Sequence, residues 1–145
     1  MPEVKTEVLQ RISRLDPTAK NHWGKMNVRQ MLRHCQEGLQ ISYGDIRPSP
    51  KKNWMVQQLM RWFIFHTDIP TPKAKAITFP EIDQVLRNSD PPDFENEKRR
   101  LTEMLQQYPA RKMQASSPLL GRMSEQNWAR LNYTHLDHHL RQFGV

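Results

Sequence analysis

The sequence predicts an all-α protein, a four-helix bundle with one long crossover loop. All eleven prolines lie outside the stretches 18–47, 51–69, 93–108 and 119–145, each of which is long enough for a helix. The chain has five glycines and lacks the Asn-Gly and Asp-Gly pairs that mark tight β-hairpins. A length of 145 residues is typical of one domain, so we expect a single domain over 1–145.

Capping residues define the first two helices. A short helix fits at 3–16, between the first two prolines of the chain. Asn27, followed three residues later by Gln30, predicts a capping box at the start of the second helix. That helix is expected to end near Tyr43, because Gly44 readily adopts the left-handed conformation that commonly ends a helix.

The next two helices are separated by the crossover. A third helix is expected over about 51–65 and a fourth over about 93–108, where Pro109 ends it. Residues 67–91 are rich in proline and predict a long connection between them. A single long crossover among otherwise short connections is found in some four-helix bundles.

The third helix is apolar on several sides. Trp62, Phe63, Ile64 and Phe65 are separated by about 100° each, so they cannot all face one core. Large apolar patches seldom stay open to water. Two interpretations therefore remain open: the crossover covers this helix, or the helix forms a homodimer contact.

The charge of the chain permits a nucleic-acid partner without indicating one. Lys and Arg number 22 against 15 Asp and Glu, which gives a net charge of +7. The basic residues are nevertheless spread from Lys5 to Arg141, and the densest group, 98–100, follows Glu95 and Glu97. This spread favours solvated charged faces over a nucleic-acid-binding module.

Cysteine usage and hydropathy predict a cytoplasmic protein. Cys35 is the single cysteine, which excludes an internal disulfide framework and zinc sites that need two thiolates. No apolar stretch reaches the roughly 18–20 residues that cross a bilayer, so we expect no membrane partner. The first residues also lack the hydrophobic region of a signal peptide.

The last helix has a clear start. Ser124 predicts its N-cap, with Met123 before the cap and Trp128 placed to form a hydrophobic staple. On a helical wheel Trp128 lies within about 40° of a polar stripe that contains Asn132, His135, His139 and Gln142. We expect it to form a wall of a pocket.

A polar stripe runs along the last helix. His135 and His139 are one turn apart on one face, with Cβ atoms about 5–6 Å apart, which lets two imidazoles share one metal ion. Asn132 and Gln142 lie on the same stripe, and leucines flank it. His138 points about 100° away and could pair with His135 in a different geometry. A polar stripe between leucines is typical of groups that face a pocket.

A third imidazole is expected from the second helix. Leu32, Cys35 and Leu39 form the centre of its apolar face, and His34 lies on one side of that face. Gly38, one turn on, leaves space beside His34. Three imidazoles with open coordination positions are the pattern of catalytic rather than structural metal sites.

A simpler explanation exists for each histidine on its own. A lone His on an apolar face is more often a hydrogen-bonded core residue than a ligand. His22 and His66 fall in or beside loops and are expected on the surface, and Cys35 is expected to be a small core residue. The alternative to an enzyme is therefore a non-catalytic bundle that acts in partner binding or dimer assembly.

Two segments resemble the DinB-like superfamily, also called the YfiT-type metalloenzymes, in a branch described as a domain of unknown function. WGKMNVRQMLRHC at 23–35 resembles the second-helix pattern around the first ligand histidine. HLDHHLRQFGV at 135–145 resembles the final-helix pattern His-x-x-His-His-x-x-Gln. The likeness covers most of the chain, although 46–110 matches in layout more than in motif.

The resemblance implies an up-down-down-up bundle that holds nickel or zinc through His34, His135 and His139. It also implies a small-molecule substrate, such as a low-molecular-weight thiol, and thiol S-transferase-like or hydrolase-like activity. One position departs from the pattern, since Ser117, before Pro118, stands where a histidine is usual. The resemblance names neither the substrate nor the metal.

Overall fold

The computed structural model describes residues 2–49, 53–67, 79–109 and 111–145. Within these ranges the protein is mostly helical, which confirms the predicted fold class. The α-helices are α1 (Pro2–Ser13), α2 (Val28–Tyr43), α3 (Trp54–His66), α4 (Phe94–Gln106) and α5 (Glu125–Gln142). A 3₁₀ turn at Pro80–Ile82 and two short strands, β1 (Ser116–Ser117) and β2 (Gly121–Arg122), complete the described elements.

The caps form as the sequence predicts. Asn27 and Gln30 make both hydrogen bonds of the capping box, and Gly44 ends α2 with φ +80°. Asp93 and Ser124 cap α4 and α5 by accepting from backbone N–H groups in the first turn. Each N-cap satisfies a donor that the helix itself leaves unpaired, and the N–H group of Gly44 donates to carbonyl groups in the last turn of α2.

Four of the helices form the bundle. α1 and α2 each pack against both α4 and α5, and α3 packs against α5. The long connection from α2 to α4 thus includes a helix of its own. The core between α1, α2, α4 and α5 consists mainly of aliphatic side chains with almost no exposed surface, among them Ile12, Leu32, Leu101, Leu136 and Leu140.

Several boundaries differ from the sequence prediction. α1 ends at Ser13 and α4 at Gln106, a few residues before the predicted ends. β1 and β2 form an antiparallel pair that the sequence did not predict. The turn between them contains no Asn-Gly or Asp-Gly pair; instead Gly121 adopts φ +68° and the Ser117 hydroxyl accepts from the backbone N–H groups of Leu119 and Leu120. Residues 68–78 of the predicted crossover lie outside the described residues.

α3 has an apolar exposed face. Trp54 and Met55 are 68% and 73% exposed, and Leu59 and Trp62 are exposed as well. The opposite side of the helix, including Ile64, packs against a second apolar cluster. Whether the crossover or a second copy of the chain covers this helix stays a prediction, since residues 68–78 of the crossover lie outside the described residues. No helix in the described part of the chain is long and apolar enough to cross a membrane.

Candidate metal centre

Three histidines meet where α2 packs against α5. One imidazole nitrogen from each of His34, His135 and His139 lies within 4.8 Å of the other two. The Nε2 atoms of His34 and His135 are 3.0 Å apart, and the three ring centroids are separated by 4.8 to 4.9 Å. Nitrogens about 2.0–2.1 Å from a tetrahedral zinc ion are about 3.3 Å apart, close to the distance between the Nε2 atoms of His34 and His135. The three side chains could therefore hold one metal ion.

Hydrogen bonds orient two of these rings. The Nδ1–H group of His34 donates to the Ile82 carbonyl at 2.9 Å. The Nδ1–H group of His139 donates to Oε1 of Gln142, also at 2.9 Å. Both acceptors are oxygens, so in each ring the proton is assigned to Nδ1 and the lone pair to Nε2. Metal-binding histidines in proteins are commonly held in this way by a carbonyl or carboxylate.

The three imidazoles are neutral at neutral pH. Burial lowers the pKa of His34, although its hydrogen bond to Ile82 opposes this effect. Burial and the neighbouring imidazoles lower the pKa of His135 well below its usual value, and burial lowers that of His139 to about 3. Metal ions bind only the unprotonated ring. Each of the three rings therefore has one unprotonated nitrogen near neutral pH.

Gly38 makes room for His135. A Cβ atom at position 38 would lie 2.7 Å from Cε1 of His135 and 2.9 Å from its Nδ1. Any larger residue would displace the ring or force the two helices apart. The space that Gly38 was predicted to leave beside His34 is occupied by the ring of His135.

A small cavity opens beside the three histidines. Its volume is about 120 Å³, and Trp128, Asn132 and Ser117 line it with the imidazoles. Most of the remaining wall is apolar, with contributions from Ile41, Phe79, Ile82, Leu119 and Leu131. His138, by contrast, packs on the far side of His139, with its ring edge-on to that of Trp23.

The match to known families falls on almost the whole chain. The model of the DUF1569 family, described as a protein of unknown function, matches residues 3–144. The chain belongs to the DUF1569 family. The match includes both helices that carry the histidines, but the description assigns the family no activity. Neither a curated protein nor a solved structure matches the chain.

A buried carboxylate in this DUF1569 protein supports the Ile82 carbonyl. Glu37, one turn after His34 on α2, accepts from Nε2 of Gln84. It also accepts from Nη1 of Arg87, 3.1 Å from each oxygen, and Arg87 donates to the Glu81 carbonyl. These contacts hold the 3₁₀ turn against the helix that carries His34. The role of Glu37 was not predicted from the sequence, where its only local signal is an acidic residue on a largely buried helix face.

The Gln142 amide connects His139 to the loop before α2. Its Oε1 accepts from His139 while its Nε2 donates to the Trp23 carbonyl. The loop is held further by the N–H group of His22, which donates to the Gln142 carbonyl at 2.8 Å. Gly24 has φ +80°, and a Cβ there would lie 2.5 Å from Nε2 of Gln142. Gln142 thus positions His139 rather than lining the cavity.

Proposed function

We propose that this DUF1569 protein is a metal-dependent enzyme whose His34, His135 and His139 hold one Zn²⁺ or Ni²⁺ ion. The observation that carries the proposal is the arrangement of the rings. Two of the three rings donate from Nδ1 to oxygen acceptors, which leaves their Nε2 lone pairs available, and one nitrogen of each of the three rings lies within 4.8 Å of the others. Three imidazoles suit both metals, so the donor set does not select between them.

The chain supplies three ligands and leaves positions for a substrate. A divalent ion held here supplies Lewis-acid chemistry, which lowers the pKa of a thiol or water that it binds. The wall of the cavity is largely apolar, and the Asn132 amide offers the substrate a hydrogen bond. Ser117 lines the same cavity, but its hydroxyl already accepts two backbone hydrogen bonds within the β1–β2 turn.

The reaction class rests on the resemblance to the DinB-like superfamily. The segments 23–35 and 135–145, which carry that resemblance, include all three proposed ligands. We therefore propose thiol S-transferase-like or hydrolase-like activity on a small molecule, with a low-molecular-weight thiol as a substrate. A cytoplasmic location suits this chemistry, because thiols are kept reduced there.

Metal content of the untagged protein tests the proposal. We expect about one equivalent of divalent metal by mass spectrometry in the parent and in His66→Ala, which changes an exposed histidine on α3. His34→Ala and His139→Ala should both lose it. Substoichiometric metal in the parent, with no uptake of added Zn²⁺ or Ni²⁺, would refute the metal centre. A retained equivalent in both variants would refute the ligand assignment.

The exposed face of α3 supports a second candidate, a bundle that acts through dimer assembly. Five large apolar side chains of this helix are exposed. The helix contains no acidic residue whose burial would oppose an apolar contact between two copies. Sedimentation velocity of the parent and of Leu59→Gln/Trp62→Gln distinguishes the outcomes. A parent dimer that becomes monomeric in the variant supports assembly through α3. A monomeric parent refutes it.

A further inference from the structure

A second, larger cavity lies between α1, α4 and α5. Its volume is about 440 Å³, whereas the cavity beside the three histidines measures about 120 Å³. Small-molecule sites in proteins are usually about 300–1,000 Å³ and mostly apolar. The walls of this apolar groove come mainly from Val8, Leu39, Leu105, Ala129 and Leu136. Both its size and its lining are those of a ligand site.

Two polar side chains in the groove have weak hydrogen bonds. Nδ2 of Asn132 lies 3.4 Å from the Tyr108 hydroxyl, which in turn lies 3.6 Å from Sδ of Met113. Typical N–H···O bonds are about 2.9–3.0 Å long. Among the described residues, neither side chain makes a shorter hydrogen bond. Asn132 is buried, with only 6% of its surface exposed. Its amide is therefore a buried polar group that can form a further hydrogen bond.

The charged residues of the groove already interact with helix ends. Nζ of Lys5 donates to the carbonyls of Gln106 and Tyr108 at the end of α4, at 3.0 and 3.5 Å. Glu125 lies in the first turn of α5, where the helix dipole favours negative charge. Neither charge requires a counter-ion from a ligand. An uncharged ligand therefore fits the groove better than an ionic one.

We infer that the groove binds an uncharged, mostly apolar small molecule with one hydroxyl or carbonyl group, which hydrogen-bonds to Asn132 and Tyr108. The groove is distinct from the three histidines and does not require a metal ion. Asn132 also lines the cavity beside them, so the polar end of the bound molecule lies one side chain from that cavity.

Calorimetric titration of the chelator-treated protein with three matched probes tests the ligand class. The probes are para-butylphenol, butylbenzene and para-butylbenzoate, which differ only in a hydroxyl, a hydrogen or a carboxylate. We expect the phenol to bind about five- to tenfold more tightly than butylbenzene, as one buried hydrogen bond provides. The carboxylate should bind more weakly than the phenol. Equal affinity for the phenol and butylbenzene, or preference for the carboxylate, would overturn the inference.

Two variants and one control locate the binding site. Ala129→Leu adds three carbons to the wall of the groove and should weaken binding of all probes, whereas Ala115→Leu makes the same change at an exposed position and should leave it unchanged. Asn132→Leu should remove the advantage of the phenol alone. Nuclear Overhauser contacts from the phenol to Tyr108 and Leu136 of the parent protein test the location without any variant. Absence of those contacts, or unchanged affinity in a folded Ala129→Leu protein, would refute the site.

Discussion

Gly38 of α2 lies directly against the imidazole of His135 on α5, so close that a Cβ would be 2.7 Å from Cε1. The ring belongs to the proposed metal centre, and the glycine belongs to the same helix as His34, the first proposed ligand. The packing of α2 against α5 and the position of the His135 ring therefore both depend on the absence of a side chain at position 38.

Substituting Gly38 tests that dependence. We expect Gly38→Ala to lower the affinity for Zn²⁺ by about 10- to 100-fold, because the added Cβ displaces the His135 ring from the other two nitrogens. Alanine also favours the helix by about 1 kcal/mol, so the loss should not follow from a weaker α2. Zinc titration of Gly38→Ala and of the control Gln40→Ala measures the effect. Unchanged affinity in Gly38→Ala would show that His135 tolerates the methyl group.

Gln142 should matter for metal affinity although it is not a ligand. Gln142→Leu removes the oxygen that accepts from Nδ1 of His139, and the Trp23 carbonyl loses its donor as well. We expect affinity for Zn²⁺ to fall about 10- to 100-fold. Gln142→Glu keeps an acceptor for His139 and should retain more of the affinity for Zn²⁺ than Gln142→Leu does. Competition with a chromogenic chelator measures both variants, and identical affinities for the two would contradict this role.

Glu37 should stabilise the fold and, through Ile82, the orientation of His34. Glu37→Gln leaves Arg87 without its carboxylate, and we expect a loss of about 1–2 kcal/mol in the free energy of unfolding. Asp90→Asn makes the same change in the exposed pair with Arg29 and should cost less than about 1 kcal/mol. Urea unfolding compares the two. Equal losses would mean that the Glu37 cluster contributes no more than a surface ion pair.

Stability of the metal-free protein should fall as the pH is lowered. The pKa of His139 is about 3 in the folded protein against an ordinary value of 6.5, so the unfolded chain binds this proton more readily. The contribution of the neutral ring to stability is fully present above about pH 6.5 and is lost as the pH falls toward 3. By pH 5 the loss amounts to about 2 kcal/mol for His139 alone. Urea unfolding at pH 7.5 and 5 should show this loss, and His139→Asn should reduce it. If the stability of the parent did not depend on pH in this interval, His139 could not be a buried, neutral imidazole in the folded protein.

Local sequence patterns predicted the helices and the three histidines because both depend on spacing along one helix. His135 and His139 are one turn apart in any helix, and Asn27 caps α2 through Gln30, which is only three positions away. Contacts between distant segments gave no such signal. The Ile82 carbonyl meets His34 across 48 positions, and the Trp23 carbonyl meets Gln142 across 119.

The same limit applies to α3 and to the β1–β2 pair. The sequence placed a helix near Trp54 but could not tell whether it would join the bundle, since its apolar residues point in several directions. Each strand is two residues long, too short to show the alternation of apolar and polar residues that marks a strand. Their turn is stabilised by the Ser117 hydroxyl, a contact that composition does not predict.

Long-range ¹H–¹⁵N NMR of the histidine side chains tests the metal centre most directly, because it reports the tautomer and the bound nitrogen of each ring. In the metal-free protein we expect His34 and His139 to be protonated at Nδ1. One equivalent of Zn²⁺ should shift the Nε2 resonances of these two rings and of His135, while those of His22 and His66 remain in place. Protonation at Nε2 in His34 and His139, or no selective change on adding zinc, would contradict the account.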